Sequence, residues 1–178
     1  MLFRSKSQGI KIHIGHKPEN IRGASIVIHS AAVKEGNPEY DAAKRERIPT
    51  KLYAEAMGEI TDEYTLIAIS GSHGKSTTTA MVAKIMIDAG LDPTVIVGTK
   101  MHELGGNNFR KGNSEFFVLE ADDYNRHFHH YHPTISVVTN VDREHLDIYK
   151  DIDGVKEAFL KFIQKRMKTC VYRQRSAW

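Results

Sequence analysis

Short apolar runs alternate along the chain with longer stretches in which apolar residues recur every three or four positions. Strands buried on both faces read as continuous apolar runs, whereas amphipathic helices read at a period near 3.6. Their alternation predicts an α/β protein with a mainly parallel sheet. Residues 10–14 read as a short strand and "ASIVIHS" as a second. "NPEYDAAKRER" then opens a helix, with Asn37 as its cap and Pro38 at its first position. "LYAEAMGEI", after Pro49, reads as another short helix. The polar "TDEY" marks a boundary, which divides the chain into residues 1–61 and 62–178.

Beyond that boundary, "YTLIAIS" has the character of a buried strand and residues 75–89 that of a helix closed by Gly90. Met81, Val82, Ile85 and Met86 would form its apolar face. "PTVIVG", "EFFVLEA" and "TISVVTN" are further strands. "DIDGVKEAFLKFIQKR" is a helix with Val155, Phe159, Phe162 and Ile163 at helical spacing. The first lobe, with about two strands and two helices, is thin for an independent open sheet. "TCVYRQRSAW" reads as a new strand that stops before it has a partner. Both features lead to the expectation that the chain is a piece of something larger.

Composition narrows the function classes. Of the 178 residues, 40% are hydrophobic and 26% charged, near the averages for globular domains. No apolar run approaches the roughly 20 residues that cross a bilayer, and the opening "MLFRSKSQGIKIHIG" lacks the sustained apolar segment of a secretory signal, so the expectation is a cytoplasmic protein without a membrane role. The formal charge of +3 is too small to point to nucleic acid, although "KFIQKRMKTCVYRQR" gathers much of it. Cys170, the sole cysteine, can form neither an internal disulfide nor a cysteine-based metal site.

Candidate chemistry centres on "SGSHGKST". The strand "LIAI" delivers the chain to Gly71 at the carboxyl edge of a sheet. A turn through Gly71, Ser72, His73 and Gly74 would aim backbone N–H groups into one concavity, and the helix beginning near Lys75 adds its unpaired N–H groups and positive dipole end. Such a nest suits phosphate. Lys75 would bring charge to the outer phosphates of a nucleotide, while the hydroxyl of Ser76 or Thr77 could join a magnesium (Mg2+) shell. A plain glycine turn with a serine and threonine helix cap would use the same residues. The usual phosphate-loop pattern would place its first glycine at position 69, which here is Ile69.

The shortened loop G-x-x-G-K-S-T resembles the ATP-binding loop of the Mur ligase family, whose pattern is G-T-x-G-K-T/S-T. These are ATP-dependent amide-forming enzymes of peptidoglycan precursor synthesis. The resemblance implies a P-loop-type ATP-binding domain, with ATP and Mg2+ as cofactors.

"FFVLEADDYNRHF" sets Glu120, Asp122 and Asp123 directly after an apolar strand, where carboxylates can hold a metal near a nucleotide; a solvated acidic turn would look alike. "LEAD" is similar to the family's E-A-D element, which implies Glu120 as a magnesium ligand. "VVTNVDREHLDIY" repeats the arrangement with Asp142, His145 and Asp147. It is similar to the family's T-N-x-x-x-D-H-x-D segment, which implies His145 as part of the magnesium site; Glu144 stands where aspartate is common. The run "RHFHHYHP" holds His127, His129, His130 and His132, but two imidazoles on one side of an extended segment lack a third fixed ligand for zinc.

In the first lobe, "HSAAV" is a loop of small residues that permits close backbone approach to a diphosphate, and an ordinary strand-to-helix loop remains an equal reading. The lobe resembles the second half of the family's Rossmann-like UDP-binding domain, including G-H-x-P-E-N and S-A-x-x-x-x-N-P. That places Ser30 and Ala31 near the UDP diphosphate and His16 near the nucleotide-sugar pocket. The implied reaction phosphorylates the carboxylate of UDP-N-acetylmuramate with ATP, after which the amine of L-alanine attacks. Lys75, Glu120 and His145 would be its catalytic residues, with Ser76, Glu120 and His145 on the metal. Ligation of a recycled tripeptide, and nucleotide binding without turnover, are the alternatives. The resemblance covers only the middle of a three-domain plan and implies a missing C-terminal half or a partner chain.

Overall fold

The computed structural model describes residues 9–143, 146–165 and 169–172, with the backbone alone at Leu146 and Asp147. It forms two compact units, residues 1–56 and 57–178.

In the first unit, β1 (Val27–His29) and β2 (Thr50–Leu52) pair in parallel and are joined through α1 (Pro38–Arg45). The start of α1 follows from its sequence. Asn37 Oδ1 accepts from the N–H groups of Glu39 and Tyr40, and Pro38 supplies a helical φ where no N–H is needed. Ala42 and Ala43 are fully buried against Ile21, Val27 and Ile48. The strand expected at residues 10–14 is absent. Ile10 and Ile14 are exposed, and an extended segment without a neighbouring strand leaves its backbone to water. Conversely, Leu52, read as the first residue of a helix, belongs with Thr50 and Lys51 to a strand, because the three pair residue for residue with Val27–His29.

α2 (Tyr53–Thr61) leads into the second unit. There six strands lie in the order β5-β4-β6-β3-β7-β8. They are β3 (Thr65–Ser70), β4 (Thr94–Met101), β5 (Asn107–Arg110), β6 (Phe116–Glu120), β7 (Ile135–Val138) and β8 (Thr169–Tyr172). All pairings are parallel except β4 with β5. β8 pairs with β7 along its whole length, which corrects the expectation of a strand without a partner.

Ile67, Ile69, Val95, Val97 and Val118 of the sheet pack with Ala83 and Met86 of α3 (Lys75–Asp88). Of the expected apolar face of α3, Met86 is buried in this core and Val82 packs against it, whereas the other two residues are corrected. Met81 and Ile85 are exposed at 60% and 64%, while Thr79, Ala83 and Met86 are buried. Thr79 can face the core because its hydroxyl donates back to the Lys75 carbonyl at 2.8 Å. A second packing centre is aromatic. Phe128 is stacked on Phe162 and meets Phe159 edge-on, with ring centroids 4.8 and 5.1 Å apart. The two partners belong to α5 (Ile152–Ile163), where Val155, Phe159 and Phe162 are buried as the spacing predicts. The short α4 (Leu146–Tyr149) precedes it. No helix among the described residues is long and apolar enough to cross a membrane.

The register brings three chain segments to one edge. Ile69 is level with Glu120 on one side and with Val137 on the other, so β6, β3 and β7 end side by side. The segments that leave them carry the glycine loop and both acidic motifs. In an open parallel sheet this carboxyl edge is where ligands bind.

Candidate active site

β3 stops at Ser70 and the chain turns at Gly71, whose φ is +133°. A Cβ here would lie 2.1 Å from Thr139 Oγ1 and 2.9 Å from the Asn140 carbonyl oxygen, so only glycine lets the end of β7 pass this close. Gly74, at φ +79°, caps α3 in the left-handed region. No side chain caps this helix. The N–H groups of Lys75, Ser76 and Thr77 therefore lead α3 without an intrahelical acceptor, at the positive end of its dipole.

The tail of β7 fixes the loop. Ser72 N–H donates to the Asn140 carbonyl at 3.0 Å, and His73 N–H to Asn140 Oδ1 at 2.8 Å. In return, Asn140 Nδ2 and Thr139 Oγ1 donate to the His73 carbonyl at 3.0 and 2.6 Å. Asp142 N–H donates to Ser72 Oγ at 2.8 Å. Two amides that the sequence reading aims at an anion are thus engaged within the protein. The free amides sit one step further on, at residues 75–77.

The three acids after β6 diverge. Glu120 accepts from Ser76 Oγ at 2.9 Å through Oε1 and from Gly98 N–H at 2.5 Å through Oε2. Asp122 is turned outward, taking the Tyr124 N–H at 3.0 Å and facing His127 Nδ1 at 3.3 Å. Asp123, only 1% exposed, holds Lys75 Nζ at 2.9 Å. Lys75 Nζ also donates to the carbonyls of Gly71 and Ser72 at 2.6 and 3.3 Å. The hydroxyl of buried Tyr149 donates to the Asp123 carbonyl oxygen. Burial, followed by the nearby Asp123 carboxylate, pushes that hydroxyl up to about 12 and keeps it a donor.

Ser76 and Glu120 present two hard oxygen donors beside an uncapped helix N-terminus. This donor set fits a divalent cation on a polyphosphate. His145 lies outside the described residues, as does the side chain of Asp147. Among the described residues, no three His, Cys, Asp or Glu side chains gather as metal ligands. The histidine run is dispersed: His127 faces Asp122, His132 pairs with Asp62 at 3.1 Å, and His129 Nε2 donates to the Ala158 carbonyl at 2.9 Å. Burial holds the His129 imidazole below its usual range.

In the first unit, His16 Nδ1 donates to Glu39 Oε2 at 2.8 Å, and Asn20 Nδ2 to Oε1 at 2.6 Å. Burial raises the Glu39 carboxyl, but these bonds outweigh it and leave the group below its ordinary value. Ser30 and Ala31 form the turn after β1, where the Ser30 carbonyl accepts from Val33 N–H at 3.1 Å. His16 is thus tied to the first turn of α1, and Ser30 and Ala31 belong to a separate turn.

The loop geometry and its acidic neighbours suit a polyphosphate on an α/β scaffold, and comparison with known proteins identifies the lineage. The Mur ligase middle domain matches residues 69–174, and the Mur ligase family catalytic domain matches residues 4–65. The chain belongs to the Mur ligase family. Among its relatives, the UDP-N-acetylmuramate–L-alanine ligase of Aquifex aeolicus is 48% identical over 158 residues, which are 89% of this chain and 35% of that protein. The enzyme of the same name from Acetivibrio thermocellus is 46% identical, over 89% of this chain and 34% of its own length. The crystal structure of the UDP-N-acetylmuramate–alanine ligase of Thermotoga maritima superposes with a TM-score of 0.84 at 30% identity, covering 96% of this chain and 40% of that one. The chain thus spans about a third of the length of the curated relatives it matches.

Sequence reasoning missed Gly98, Thr139, Asn140 and the pairing of Asp123 with Lys75. For Asn140 the available signal was its place directly after a strand that ends beside the loop.

Proposed function

We propose that this chain is the central part of an ATP-dependent amide ligase, which adds L-alanine to UDP-N-acetylmuramate in peptidoglycan precursor synthesis in the cytoplasm. In this reading a partial UDP-binding lobe through residue 61 precedes a partial ATP-binding domain from residue 62. The observation that carries it is the Ser76–Glu120 pair, 2.9 Å apart, at the uncapped start of α3. The 48% and 46% identity to proteins bearing that activity in their names supplies the substrates.

A carboxylate is a poor acyl donor and must be activated. Transfer of the terminal phosphoryl group of ATP to the muramate carboxylate oxygen gives an acyl phosphate and ADP. The amine of L-alanine then attacks the acyl carbon and loses a proton, and phosphate leaves with the former carboxylate oxygen. The residues of the 71–77 loop cradle the triphosphate, with the amides of Lys75, Ser76 and Thr77 as its donors. Lys75 neutralises charge on the transferring group. Ser76 and Glu120, joined by His145, would hold Mg2+, which when bound would supply further positive charge to the phosphoryl oxygens. Ser30, Ala31 and His16 take the nucleotide sugar.

Phosphate release from ATP in the presence of UDP-N-acetylmuramate, with and without each acceptor, tests the proposal. Dependence on L-alanine is the expected result. Dependence on tripeptide would move the chain to the recycling reaction. ATP binding with no turnover would make it a nucleotide-binding remnant.

A further inference from the structure

The ammonium of Lys75 has three N–H donors, and in this structure all three are occupied, by the carbonyls of Gly71 and Ser72 and by Asp123 Oδ1. None is left for a phosphate. Two of the acceptors are main-chain carbonyls of the loop itself. The third comes from the neighbouring strand end and carries a full charge, in a place where the side chains are only 17% and 2% exposed. An incoming phosphate oxygen and the Asp123 carboxylate therefore compete for one cation at short range and with little screening.

We infer that Asp123 is a positioning residue that keeps Lys75 drawn back from the phosphate site, and that polyphosphate binding must pull the lysine off it. This rests on the reading of the loop as a phosphate site. The lysine is the group that moves. Asp123 is 1% exposed, and its main-chain carbonyl is fastened by the Tyr149 hydroxyl and by Arg126 N–H at 3.2 Å. Lys75 has a flexible four-carbon stem at the first turn of α3, where the free amides lie. The contact therefore holds the site below its full affinity until a ligand charged enough to win the lysine arrives.

The test is calorimetric titration of the 178-residue chain with inorganic tripolyphosphate and with ATP, in EDTA so that no divalent cation takes part. Asp123→Asn keeps the size and the Oδ1 acceptor but removes the charge. It should tighten binding of both anions roughly tenfold, on the scale of one charge-assisted contact. In a Lys75→Met background the same substitution should change affinity less than about twofold, because the competition acts through the ammonium. If Asp123→Asn melts below the assay temperature, Asp123→Ser replaces it with the same expectation. Unchanged or weaker binding by the variant would overturn the inference, as would an equal gain in the Lys75→Met background, which reports general charge removal. Those outcomes leave the phosphate reading of the loop intact. Failure of the unmodified chain to bind either anion would overturn both.

Discussion

Replacing Gly98 by alanine tests the metal-holding role proposed for Glu120 with little change to the fold. Gly98 lies on β4, beside β6, and its N–H holds Glu120 Oε2 at 2.5 Å. A Cβ built there would stand 3.0 Å from both carboxylate oxygens and 3.1 Å from Cδ. The backbone has no positive φ at this position, so alanine fits without strain and restricts the unfolded chain, a gain of about 0.4 to 1 kcal/mol. The carboxylate, at the end of a flexible side chain, must shift. That breaks the Gly98 bond and draws Oε1 away from Ser76. A charge-assisted bond contributes about 1.5 to 3 kcal/mol, and this solvent-facing one belongs at the low end. A loss of ~1.4 kcal/mol is tenfold in affinity. Titration of ATP should therefore show binding to Gly98→Ala weakened about tenfold in Mg2+ and unchanged in EDTA, with a slightly lower melting temperature, since the lost bond outweighs the gain from the unfolded chain. Equal loss in both buffers, or full affinity in Mg2+, would refute the assignment of Glu120 to the metal.

Two further substitutions probe the site and its support. Gly71→Ala forces a Cβ into Thr139 Oγ1 and holds alanine at φ +133°, so thermal melts should show a loss of about 1 to 3 kcal/mol and titration should show no ATP binding; a variant that melts and binds like the parent would remove the need for close approach at this point. For His129, the folded state holds the imidazole below its usual range, so below pH 6.5 the unfolded chain binds the proton more readily. Stability then falls as pH drops through that value, with the loss complete once the folded group also protonates. His129→Gln should show a smaller fall in melting temperature between pH 7.5 and 5.5 than the parent; parallel curves would assign the acid limb to other groups.

What the sequence disclosed is what neighbouring residues decide among themselves. Asn37 and Pro38 specify the start of α1 within one turn, and Gly71, Gly74 and Lys75 specify the strand, loop and helix in eleven positions or so of local signal. On α3 the hydrophobic pattern placed Val82 and Met86 correctly and misplaced Met81 and Ile85, because Thr79 conceals its hydroxyl by bonding the Lys75 carbonyl and takes a core position as a polar residue. β5 escaped notice because "NNFR" has no apolar alternation and is a strand only through its antiparallel partner β4. The site residues that were missed act across distance along the chain. Asp123 meets Lys75 across 48 positions and Asn140 meets His73 across 67. No local pattern encodes such pairings; the parallel register of β6, β3 and β7 creates them.

The grip of Asn140 on His73, with a donor and an acceptor from one carboxamide, means that the glycine loop is not shaped by its ligand. Its contour is inherited from the sheet, so the entropy of ordering it is borne once, during folding, and does not recur at each encounter. A cradle built this way would meet the proposed polyphosphate by rigid complementarity, and drift at the end of β7 would be transmitted directly into it.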